Sequence, residues 1–147
     1  MKIWIRNLEK HIPLDRRKIR RVAQRILADL GLPDAELSIL LVDDAKIQEL
    51  NRRYLQRNKP TNVLAFSMRE GEFSLLHPAV LGDLAISVET AQRQSNRFGL
   101  DDTGMITLLM IHGVLHLLGY EHEGTKKDAR EMALTQKELF RRVTQKV

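Results

Sequence analysis

The chain's 147 residues, 43% hydrophobic and 29% charged, suit one globular domain over 1–147, and a net charge of +5 favours a polyanionic partner, nucleic acid before membrane. Without cysteine, disulfides, thiolate metal sites and cysteine nucleophiles are excluded, so any metal must be held by histidine or carboxylate. Charged residues break every apolar run short of the ~20 residues of a membrane span, and the opening MKIWIRNLEKHI has no apolar signal core, so a cytoplasmic protein is expected.

Along the chain the apolar period alternates between the strand and helix types, which reads as mixed α and β. Residues 2–7 alternate as a strand, with Ile3 and Ile5 on one side and Lys2, Trp4 and Arg6 on the other. Asp15 is placed to cap a helix with the apolar face Ile19, Val22, Ile26, Leu27 and Leu30, ended by Gly31. Leu37–Val42 reads as a buried strand, and Asp43-Asp44 can cap a helix carrying Ile47, Leu50 and Tyr54. A turn at Lys59–Asn62 leads into the strand Val63–Phe66, residues 69–80 read as a loop, and Leu81–Val88 as a fourth strand. Glu89–Phe98 reads as a helix stopped by Gly99. Asp101-Asp102-Thr103 caps the most apolar helix, Met105–Leu118, and a last helix over about 125–143 turns Ala129, Met132, Leu139 and Phe140 inward.

His112 and His116 lie four apart on that apolar helix, so their imidazoles can aim at a common point. Gly119 lets the chain leave the helix through a left-handed residue and turn back, after which His122 can approach from the other side. Three neutral imidazoles suit one Zn2+ ion and leave a fourth tetrahedral position to water, whose pKa falls to about 7 there; nickel would fit the same ligands. A structural metal would need a fourth protein ligand, for which Glu121 or Glu123 could be recruited. The pattern HxxxHxxGxxH has the spacing of the zincin helix of metzincin peptidases, yet Gly113 stands where those carry their glutamate base, which disfavours a protease.

The run His112-Gly113-Val114-Leu115-His116-Leu117-Leu118-Gly119-Tyr120-Glu121-His122 resembles the signature of the bacterial YbeY family of metal-dependent single-strand endoribonucleases. Leu81–Ser87 and Lys59–Phe66 are similar to two further motifs of that family, and Asn51 and Tyr54 fit the helix before them. The resemblance covers about residues 35 to 135. It implies an α+β domain with a mixed sheet of about four strands and about five helices, His112, His116 and His122 as metal ligands, and an RNA substrate. The implied role is 16S ribosomal RNA maturation and ribosome biogenesis, with the ribosome or a small-subunit ribosomal protein as partner. One departure stands out: the family usually has an arginine directly after the tyrosine matched to Tyr54, and here that residue is Leu55.

Arg53 and Arg57 are near enough to replace that charge, with Arg57 the candidate for catalysis and Arg53 for RNA contact; both, with Arg52, could equally be a solvated basic surface. Glu121 could orient His122 or a bound water, or sit exposed in the turn. Asp83, on an apolar strand, needs a partner that a cap, an arginine or the site could supply. Arg16, Arg17, Arg20 and Arg21 make the first helix a candidate surface for RNA backbone, against the alternative of a basic helix that binds nothing. Met132 reads as core, and His11 and His77 as surface. Against the nuclease reading stands a ribosome-assembly factor with a structural metal, and behind it a peptidase with a displaced base.

Overall fold

Alternation of apolar and polar residues sets β1 (Lys2–Asn7), with Ile3 buried and Trp4 exposed on the opposite face. The computed structural model, which describes residues 1–68, 79–120 and 124–145, continues through α1 (Arg16–Asp29), β2 (Glu36–Val42), α2 (Asp44–Leu55) and β3 (Val63–Ser67). Then follow β4 (Val80–Ser87), α3 (Val88–Ser95), α4 (Asp102–Leu117) and α5 (Lys126–Gln145). The described residues thus form the α+β arrangement expected, with five helices and a four-stranded sheet. The sheet order is β1-β2-β4-β3, with β1, β2 and β4 parallel and β3 antiparallel to β4. β1 and β3 are therefore its opposite edges.

The register pairs Ile3 with Leu37, Ile39 with Leu84 and Leu41 with Ile86, so one face of the sheet is continuously apolar. Ile19 and Leu27 of α1, Ile111 and Val114 of α4 and Met132 of α5 share one core with that face. The reverse face is covered in part: Ile47 and Leu50 of α2 pack with Val42, Leu64 and Ala85. Beyond them runs a groove of about 460 Å³ lined by Trp4, Arg6, Tyr54, Phe66 and Asp83. Asp83 is exposed there, so water satisfies the carboxylate that the sequence suggested would need a protein partner.

Short polar side chains end the loops and start the helices. Asp15 accepts from Lys18 N at 3.2 Å, Asp43 from Lys46 N at 2.8 Å and Asp101 from Gly104 N at 2.7 Å. Ser87 ends β4 and caps α3 through Thr90 N at 3.2 Å, so Val88 opens a helix where the sequence suggested a strand's last residue. That helix stops at Ser95, and Phe98, expected within it, is 54% exposed. In α5 the buried residues are Met132, Leu139 and Val143, with Ala129 and Phe140 half-buried at the margins. The loop expected over 69–80 falls outside the described residues up to 78, and Val80 already belongs to β4.

Asp44 takes no part in capping. It accepts from the hydroxyls of Ser87 and Thr90, each at 2.6 Å, and from Arg93 at 2.7 Å, tying α2 to α3 across the end of β4. Burial pushes its carboxyl up, but those three donors together outweigh it and hold the group below its ordinary value. On the same strand, β4 pairs Val80 with Glu36 and Gly82 with Leu37, leaving Leu81 as an extra residue. Gly82 absorbs the bulge at φ +143, with the Phe66 carbonyl oxygen where a Cβ would stand.

Candidate functional site

Most of α4 is buried. After its first turn the half-exposed positions are Leu108, His112 and His116, four apart and hence one row on one face. The two imidazoles meet with centroids 4.7 Å apart and planes at 73°, and their Nε2 atoms are separated by 3.2 Å. Two nitrogens bound at roughly 2.05 Å to one tetrahedral ion stand about 3.3 Å apart, so this spacing fits a shared metal without rearrangement. The Nδ1 of His112 faces the Oε1 of Gln136 on α5 at 2.8 Å.

The end of α4 is closed by a paired cap. Gly119 N donates to His116 O and Tyr120 N to Leu115 O, both at 3.0 Å, with Gly119 at φ +95 as the spacing required. His122 and Glu121, expected just beyond this turn, lie outside the described residues, as do Glu123 and His77. Gly113 has a packing role as well as lacking a carboxylate: an added Cβ would come within 2.6 Å of Leu84 Cδ2 and 3.3 Å of Val63 Cγ2. Glycine here lets α4 settle onto β3 and β4.

Between β3 and α4 opens a cleft of about 610 Å³, with His112 and His116 in its wall and Arg57, Lys59 and Asn62 along its side. No carboxylate of the described residues lines it. Asn51, buried in α2, shapes that side: its Nδ2 donates to Lys59 O at 2.9 Å and its backbone carbonyl accepts from Arg57 N at 3.3 Å. Gln56 caps α2 in the left-handed region at φ 54, which turns the segment toward the cleft.

Leu55 lines the cleft too, so the departure from the usual arginine falls in the site itself. Arg57 is exposed in the same cleft, and Lys59, read in the sequence as the start of a turn and of a family-like motif but not as a cation of the site, stands beside it. Arg53 is directed elsewhere: its guanidinium lies 6.0 Å from the ring of Tyr54, which meets Phe66 edge to face at 5.5 Å by the groove on the reverse sheet face. Arg16, Arg17 and Arg21 are exposed on α1, which packs against α4 and α5 as well as β1, and none of the three lines the cleft. Arg20 donates to the Ile3 carbonyl. The basic helix thus packs on the helix that carries the histidines, but its arginines do not enter the histidine cleft.

The model of the family described as endoribonuclease YbeY matches residues 4–144. The chain belongs to that family. An endoribonuclease YbeY of Syntrophotalea carbinolica is 51% identical over 142 residues, covering 96% of this chain and 95% of the relative. Others of that name, from Geobacter metallireducens and Syntrophus aciditrophicus, are 43% and 48% identical and cover 95% of the chain, with 94% and 88% of their own lengths matched. The solution structure of TM1509 from Thermotoga maritima superposes with a TM-score of 0.64 at 23% identity, covering 96% of this chain and 88% of that one, which shows the shared fold.

Proposed function

We propose that this chain is a zinc-dependent endoribonuclease that cuts single-stranded RNA in the maturation of ribosomal precursors, with His112, His116 and His122 holding one ion. The observation that carries the reading is the 3.2 Å approach of the His112 and His116 Nε2 atoms in the wall of an open cleft. A cleft open beside the ligands suits a catalytic metal, which keeps a position for water or substrate, better than a structural one, whose ligands close around it. When bound, zinc supplies Lewis acidity toward a phosphoryl oxygen and makes a nucleophile accessible near neutral pH.

The chain's own residues do the rest. Arg57 and Lys59 hold phosphates of the strand across the cleft, where no described carboxylate opposes them. Glu121, beside His122 in sequence, orients that ligand or a water. Arg53 and the outer face of α1, with Arg16, Arg17 and Arg21, meet RNA away from the cut. Phosphate contacts carry no sequence information, so we assign the choice of cleavage position to the ribosome or a small-subunit ribosomal protein in the cytoplasm.

The test is elemental analysis of the purified protein together with cleavage of a single-stranded RNA by wild type and by His116→Ala. One zinc per chain and cleavage lost in the variant are expected. Cleavage by the variant at the wild-type rate would mark a contaminating nuclease and overturn the reading. Zinc retained by a protein that cuts no RNA would leave the assembly-factor alternative.

A further inference from the structure

The inner face of α5 follows the row Met132, Gln136, Leu139 and Val143, spaced four, three and four apart. Three of these are buried apolar side chains, and the fourth is a half-buried amide. An amide in such a row carries a desolvation cost unless it is hydrogen-bonded, and leucine would be the default filler. The partner of Gln136 is His112, Oε1 to Nδ1 at 2.8 Å, while the other ring nitrogen of His112 faces His116 Nε2 at 3.2 Å. A carbonyl oxygen can only accept, so the bond requires the proton on Nδ1 and leaves a lone pair on Nε2.

We propose that Gln136 is a positioning residue for the metal: by accepting from His112 Nδ1 it fixes the tautomer and ring orientation in which Nε2 can ligate. This rests on the metal reading above. It also explains why α5, which contributes no ligand in that reading, presses a polar side chain into its packed face. Outer partners of this kind typically change metal affinity 10–100-fold when removed.

The experiment measures zinc dissociation constants by chelator competition for wild type, Gln136→Leu, Gln136→Glu and His116→Ala, with thermal unfolding of each zinc-free protein. Gln136→Leu is expected to unfold within a few degrees of wild type, since the added apolar packing offsets the lost hydrogen bond to His112 Nδ1, yet to bind zinc about 10–100-fold more weakly. Gln136→Glu, which keeps an acceptor, should restore wild-type affinity or exceed it. In the zinc-free wild type at about pH 8, where histidine is neutral, nitrogen NMR should find the His112 proton on Nδ1. Affinity of Gln136→Leu within about twofold of wild type, or a proton on Nε2, overturns the assignment. If wild type takes up no zinc, or His116→Ala binds it as well as wild type, the metal reading falls first. If both controls behave and Gln136→Leu alone matches wild type, only the role of Gln136 is lost.

Discussion

Replacing Gly82 by alanine combines two separate penalties at one position. The residue sits at φ +143, outside the range of ordinary side chains, and its new methyl would collide with the Phe66 carbonyl while touching Leu117 Cδ2 and Met68 N at 3.1 Å. Backbone strain of that kind costs about 1–3 kcal/mol and forced overpacking about 1–3 kcal/mol more. The sum, roughly 2–6 kcal/mol, is a large part of the roughly 5–15 kcal/mol that holds a domain together. For a chain of this size the melting temperature should drop by on the order of 10 °C. Gly119→Ala is the matched control, because Gly119 is also at positive φ, +95, but nothing lies within 4 Å of its absent Cβ. It carries the backbone penalty alone and should lose only a few degrees, about 1–2 kcal/mol. Thermal melts followed by far-ultraviolet circular dichroism compare the two. A Gly82→Ala protein melting no lower than Gly119→Ala would refute the steric reasoning.

The carboxylate of Asp44 is held low, so it stabilises the fold fully above its unfolded value near 4 and loses that contribution as pH falls through the lower native value. Asp44→Asn should cost about 1–3 kcal/mol in neutral urea titrations, and its deficit against wild type should shrink below about pH 4; a deficit constant with pH would contradict this. Removing both cleft cations, Arg57→Ala with Lys59→Ala, should weaken single-stranded RNA binding and flatten its log affinity against log salt slope by about 1.4, measured by fluorescence anisotropy. Neutralising Arg16, Arg17 and Arg21 to glutamine, none of which lines the cleft, should leave kcat on a short RNA unchanged and weaken only the binding of long RNA in the same assays. Gly113→Ala should lose more to the contact with Leu84 than the helix gains, destabilising by about 1–2 kcal/mol in denaturant melts.

Much of this architecture is written in local patterns. The caps at Asp15, Asp43 and Asp101 and the left-handed exit at Gly119 depend on neighbours a few residues away, so they are legible in the sequence. Ser87 and Val88 were not, because a serine ending an apolar strand and a serine capping the next helix look alike until both elements exist. Asp83 misled for another reason: alternation tells that it leaves the core face, and only the extent of α2 decides whether anything covers it. In the site, the pairing of His112 with His116 is a matter of helical period and came through. Lys59 joins the cleft through a turn held by Asn51 eight residues before it, an irregular arrangement with no period to reveal it. Gln136 did leave a trace, an amide interrupting an apolar row, and it becomes meaningful once α5 is laid beside α4.

The part-covered face of the sheet bears on how this molecule can be watched in solution. Trp4 is the chain's one tryptophan and is 61% exposed there. An indole already in water changes its surroundings little when the chain unfolds, so its emission is a poor gauge of stability. The same indole is a sensitive built-in dye for that face. A blue shift on adding RNA or a ribosomal protein would report a visitor on the sheet, separately from whatever occupies the histidine cleft at the opposite edge.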